Sequence, residues 1–250
     1  MAAYSAFYDT SGHRSSQGDD SAIVTAGLLA SEAQWVGFER EWNALLAAAQ
    51  IPYLHMRQLR NAFDGRPDEQ ARFLDKAVRL LRKRMTMAFV VSVIPRDFRV
   101  VSEEFELARV MESPHQVAVG TCALLGHLWF AGSLNHEARH SLVQAHEAGD
   151  LGIGKAQEFA RRHGATLGTR AAQSGDRFVV GFQAGDFIAW EIRRLWVEVL
   201  RQELRPTRQS LIDISYGLTK QVHMWDADAL RNLCRTNSIP ARRAHLPRPS

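Results

Sequence analysis

The sequence predicts a mixed α/β protein, one central mixed sheet with helices on its faces. Three observations predict it. Residues 6–29 read as two short apolar strands around a polar break, a hairpin. Beyond them, strand-like runs alternate with helical periods. No linker-like segment divides the 250 residues, so a single domain is expected over 1–235, with a basic, flexible tail over 236–250.

Each element has a local cause. Ala6-Phe7-Tyr8-Asp9 is an apolar-aromatic run that breaks at Ser11-Gly12, so a first strand should end with Asp9 projecting. Residues 13–20 are polar, a loop, and Ala22 to Leu29 is the second strand. Ser31 and Gln34 form a capping box for a helix whose apolar stripe is Trp35, Phe38, Trp42, Leu45 and Leu46. Ile51-Pro52-Tyr53-Leu54-His55 is a short extended piece ending in histidine. Pro67 opens a second helix, with Asp68 and Glu69 in its first turn. Met85 to Ile94 is an apolar strand stopped by Pro95. Residues 96–112 read as a loop and a short helix. Ser113-Pro114-His115-Gln116 starts a helix that should stop at Gly132. Ser141 to Glu147 reads as a strand, Leu151 to His163 as a helix, and Arg177 to Phe182 as another strand. Gln183 to Leu204 is a long helix with the stripe Ala184, Ile188, Ile192, Leu195 and Val199, and with Asp186 in its first turn. A last strand and short helix fall within Leu211 to Leu233.

Composition narrows the class. Hydrophobic residues make up 46% and charged residues 23%, ordinary for a globular chain. Apolar runs of about ten residues are too short to span a bilayer, so no membrane association is expected. The start Met1-Ala2-Ala3-Tyr4 has no signal-peptide pattern, and a cytoplasmic location is the default. Cys122 and Cys234 match no metal spacing and imply no disulfide framework. Net charge is +4, and five arginines (Arg231, Arg235, Arg242, Arg243, Arg248) follow Ala229 with no acid among them. Removing those five from 31 basic residues leaves 26 against 27 acidic. The excess lies in the tail, which is either a nucleic-acid contact or a solvated end, with Pro240, Pro247 and Pro249 favouring the latter.

Three acids share one geometry: Asp9 ends the first strand, Glu147 ends a later strand, and Asp186 opens the last long helix. Carboxylates brought together repel unless they share divalent cations, and hard oxygen ligands suit magnesium or manganese.

The order Tyr8-Asp9-Thr10-Ser11-Gly12, Tyr53-Leu54-His55, Glu147 and Gln183-Ala184-Gly185-Asp186-Phe187-Ile188-Ala189 resembles a bacterial and phage family, the "domain of unknown function thirty-eight hundred". The resemblance covers residues 4 to about 215. It departs from the family at Thr10, where glutamate is usual, and His146 precedes the middle acid. Asp150 is the alternative middle acid, although it also reads as the N-cap of the next helix. The resemblance implies a ribonuclease H-like sheet with helical insertions, and acids on the first strand, a later strand and the last helix. Asp9, Glu147 and Asp186 match those positions. It implies metal-assisted hydrolysis of DNA or RNA by those three carboxylates, with His55 positioning a phosphate or protonating the leaving group. His55 equally reads as a buried histidine bonded to backbone. His13 and His115 read as a loop and a helix-cap histidine.

Two other readings stand beside it. Gly149-Asp150-Leu151-Gly152-Ile153-Gly154-Lys155-Ala156 follows a strand and opens a helix like a phosphate-binding loop, but Ala156 stands where Ser or Thr would hold magnesium. The other is a non-catalytic nucleic-acid-binding or toxin-like module. Oligomeric state is open, a homodimer included.

Overall fold

The computed structural model describes residues 3–12, 21–134, 141–148, 153–171, 180–203, 206 and 208–242; at 134, 141, 147–148 and 169–171 the backbone alone is described. In chain order the elements are β1 (Ala3–Ser11), β2 (Ile23–Ser31), α1 (Glu32–Ala49), a 3-10 turn (Met56–Gln58), α2 (Leu59–Ala62), α3 (Pro67–Arg84), β3 (Met87–Val93), α4 (Pro95–Glu104), α5 (Leu107–Val110), α6 (Pro114–Leu134), β4 (Ser141–Ala148), α7 (Gly154–Arg162), β5 (Gly168–Ala171), α8 (Val180–Leu200), α9 (Gln209–Gly217), β6 (Lys220–Trp225) and α10 (Ala227–Thr236).

The expected mixed sheet is formed, in the order β5-β4-β1-β2-β3-β6. β1, β2 and β3 make an antiparallel meander. β4 runs parallel to β1, β5 to β4 and β6 to β3. Side-chain alternation along β2 and β3 divides the interior into two cores. Val24, Ala26, Leu28, Ala88 and Val90 pack under α1, α3, α8 and α9. Ile23, Leu29, Phe89 and Val91, with Tyr8 of β1, face α4 to α7 and α10. Both faces are covered, which is why these two strands are apolar at nearly every position.

α8 lies directly on β1. A Cβ on Gly181 would fall 2.5 Å from the Phe7 ring, and one on Gly185 would fall 3.2 Å from both the Cβ and the backbone nitrogen of Asp9. Two glycines one turn apart therefore let helix backbone approach strand backbone, closer than any side chain would allow. Ser31 caps α1 through the expected box: its hydroxyl accepts from the Gln34 N–H, and Gln34 Oε1 accepts from the Ser31 N–H at 2.9 Å.

Several expectations change. The strand placed at Arg177–Phe182 is not formed over its described part: Val180 to Phe182 begin α8, and the fifth strand is β5. Residues 177–179 lie outside the described residues. A short apolar run reads the same in a buried strand and a buried helix start. Because α8 begins three residues early, Asp186 stands in its second turn rather than its first. Val199, assigned to the core stripe, is 55% exposed, because α8 runs past the sheet there. Gly132 does not stop α6, which continues to Leu134; open space surrounds that glycine, and a solvent-facing glycine is tolerated. Asp9 sits two residues inside β1 rather than at its end, paired with Ala26. The last segment runs helix, strand, helix rather than strand, helix. Beyond α10, Ile239 is buried, Ala241 bridges to Phe105, and the Arg242 N–H donates to Glu104 O at 2.9 Å.

Candidate active site

Asp9 and Asp186 come from opposite ends of the chain and line one small solvent-open cleft, with Tyr53, Leu54, His55, Phe182 and Gln183. β1 supplies Asp9 as a half-buried side chain, and its Oδ1 accepts the Thr10 N–H at 2.6 Å. α8 supplies Asp186, 8% exposed. Burying a carboxylate is costly unless donors meet it. Here the segment after α1 meets it: the Met56 N–H donates to Asp186 Oδ2 at 2.7 Å, and His55 Nδ1 donates to the same oxygen at 2.9 Å. Asp186 Oδ1 accepts no hydrogen bond among the described residues.

Gln183, one turn earlier, fastens the same segment. Its Oε1 accepts from the Leu54 N–H at 2.8 Å and from Trp42 Nε1 at 3.0 Å. The extended piece Ile51–His55 is thus held to α8 at Gln183 and at Asp186, and His55 is delivered to the cleft rim with its side chain 48% exposed. The buried-histidine alternative for His55 is set aside. Gln183 had no assigned role beyond its place in the motif. Its signal was an amide in an otherwise apolar helix start.

Glu147 lies on β4 next to His146, whose backbone pairs with Tyr8, the residue before Asp9. Its side chain lies outside the described residues, as does Asp150 entirely. His146 is buried, with Nε2 3.1 Å from Thr10 Oγ1, and its ring centre is 5.6 Å from that of His115. Thr10 Oγ1 also meets Thr25 Oγ1 at 2.8 Å. Thr10 therefore belongs to a buried polar network under α6. His13 lies outside the described residues. Lys155 is on α7, which packs on the opposite layer, and does not line the cleft; residues 149–152 of that loop are outside the described residues. Cys122 and Cys234 are free and buried.

The donor set suits a hard cation. Two carboxylates open on one cleft, and magnesium needs only one or two of them while keeping several waters. Among the described residues no group of three His, Cys, Asp or Glu side chains stands close enough to hold a metal. No helix among the described residues is long and apolar enough to cross a membrane.

No family model matches the chain, and no curated protein matches it. Among solved structures, a chain of the PCNA:RNase HII complex from Archaeoglobus fulgidus is 15% identical, with 98% of this chain and 96% of that chain covered at a TM-score of 0.45. The ribonuclease H2 from Pyrococcus horikoshii OT3 is 13% identical, with 80% and 76% covered at a TM-score of 0.42. Likenesses this distant carry no argument about the chemistry of this chain.

Proposed function

We propose that this chain is a divalent-metal-dependent nuclease of ribonuclease H-like fold, hydrolysing phosphodiester bonds of DNA or RNA in the cleft between β1 and α8. The observation that carries the reading is the convergence of Asp9, Asp186 and His55, each singled out in the sequence, on that cleft. Asp9 and Asp186 would hold magnesium or manganese, with Glu147 of the neighbouring strand as the third carboxylate. The metal, when bound, supplies an activated water and stabilisation of the leaving oxygen. Gln183 holds the Leu54 backbone in place, and Asp186 orients the His55 ring through Nδ1. An imidazole so placed can hold a phosphate oxygen or deliver a proton to the leaving group.

The test is cleavage of a panel of labelled DNA and RNA substrates with magnesium or manganese, beside metal binding and thermal melts. Asp9→Asn keeps size and one oxygen but removes the charge that holds the cation against its hydration shell. Cleavage should fall by orders of magnitude while the variant melts at or slightly above the metal-free wild-type temperature, since one like-charge repulsion is relieved. Equal cleavage by the two proteins removes Asp9 from the site. A wild type that cleaves nothing and binds no metal gives way to the binding-module reading.

A further inference from the structure

A strand at the rim of a sheet spends one row of backbone groups on its neighbour and shows the other row to its surroundings. β6 is such a strand: it pairs with β3 and closes the sheet on that side. Two bonds fix its phase. The Ala88 N–H donates to Thr219 O at 2.9 Å and the Ile94 N–H to Trp225 O at 3.5 Å, at opposite ends of the ladder. Bonded residues alternate along a parallel ladder, so Gln221, His223 and Trp225 turn their N–H and C=O toward β3. Lys220, Val222 and Met224 turn theirs outward, where they meet no hydrogen-bond partner among the described residues.

The neighbouring helices leave this edge open. Gln221, Val222 and His223 are exposed, Val222 by 50%. Met224 packs on the core under α9 and Trp225 on the opposite core, so alternation puts Lys220, Val222 and Met224 on the α9 side. Sheets that stay single protect an open edge with a charge or a proline near its middle. β6 has neither there: its lysine stands at the first position, and Lys220 Nζ donates back to Ser215 O. The other rim strand, β5, offers four residues against the six of β6.

We infer that β6 is a self-pairing edge: two copies of this chain join their sheets antiparallel along β6, with Val222 opposite Val222 on a twofold axis. The hydrogen-bond phase selects this register. Antiparallel residues that exchange both bonds recur every second position, and the outward residues of β6 are symmetric about Val222. Val222 opposite its copy sets Lys220 opposite Met224 on either side, so every outward group finds a partner. A slip of two residues carries one outward residue of each copy past the partner's strand. An axis perpendicular to the sheet keeps each helix layer on its own side, so the two half-exposed Val222 side chains meet. Charge agrees with the pairing: Lys220 faces Met224, Gln221 faces His223, and no ionised group faces its like. β2 and β3 separate β6 from β1, so the contact is independent of the Asp9–Asp186 cleft and of the nuclease reading.

The test is sedimentation velocity of the full chain from about 5 to 500 µM, a range suited to a small interface. The wild type should pass from monomer to dimer across it. Hydrogen exchange at the Lys220, Val222 and Met224 amides should slow as concentration rises, while the Gln221, His223 and Trp225 amides stay protected throughout. Val222→Lys and Val222→Glu should each remain monomeric, because like charges would meet across the axis, and an equimolar mixture of the two should restore the dimer. Val222→Pro removes an outward N–H and no bond to β3, so it should also remain monomeric, with wild-type circular dichroism. Should the proline unfold the strand, the two charge variants decide alone. A wild type monomeric throughout overturns the self-pairing and leaves the edge to an extended segment of another protein. A dimer that survives in either folded charge variant overturns it as well, since the contact then lies elsewhere. A mixture that fails to pair overturns the register about Val222.

Discussion

Gln183 shows how much one side chain can organise. Its oxygen meets two buried donors, the Leu54 N–H and Trp42 Nε1, so it joins α1, the extended segment and α8 at one atom. Gln183→Leu keeps the volume and removes the acceptor. Both donors would stay buried without a partner, at about 1–3 kcal/mol each. The melting temperature should fall by several degrees. The Leu54 amide should lose protection in hydrogen exchange, and cleavage should drop further than the melt explains, because His55 and Met56 follow Leu54. A variant with wild-type exchange at Leu54 would show that the segment is held from elsewhere.

At the scale of elements, the contact that makes the site is α8 on β1. Gly185→Ala places a methyl 3.2 Å from the Asp9 Cβ and backbone nitrogen and 3.3 Å from Ala26 O, in the middle of the sheet where backbone yields little. Alanine is the better helix former by up to about 1 kcal/mol, but overpacking costs about 1–3 kcal/mol. The expected outcome is a modest loss in urea midpoint and a larger loss of cleavage, as Asp186 moves away from Asp9. A midpoint and a rate both equal to wild type would mean the helix can ride outward freely. This contact also marks where sequence reading stops. Ser31 and Gln34, or Pro67 with its acids, announce their helices because capping is local chemistry. Asp9, His55 and Asp186 were legible as odd polar residues bounding apolar runs. Nothing local distinguishes Val180-Gly181-Phe182 as helix from strand, since both bury an apolar run, and only the proximity of Phe7 shows why position 181 is glycine. The Gln183 anchor was equally out of reach, because its partners lie 129 and 141 residues away.

For the whole molecule, the charge buried deepest on α8 sets how stability follows pH. Glu191 is 1% exposed, and burial lifts its carboxyl to about 7 against the pull of Ser210 and Arg194, with Glu198 adding to the lift. Arg208 Nη1 stands 3.4 Å away on the segment leading into α9. The sign follows from which state holds the proton. Below the unfolded value of 4.5 both states are protonated and the group contributes nothing. Between 4.5 and about 7 the unfolded chain releases the proton while the native protein keeps it. Folding stability therefore declines as pH rises through this window and levels off above about 7, the cost reaching about 3 kcal/mol at most. Glu191→Gln keeps the shape and cannot ionise. Its urea midpoint should exceed that of wild type at pH 8 and match it near pH 4, where the wild-type carboxyl is protonated in both states. Midpoints that shift in parallel for both proteins across that range would place the pH dependence elsewhere, and would mean that Arg208 neutralises Glu191 fully in the native state.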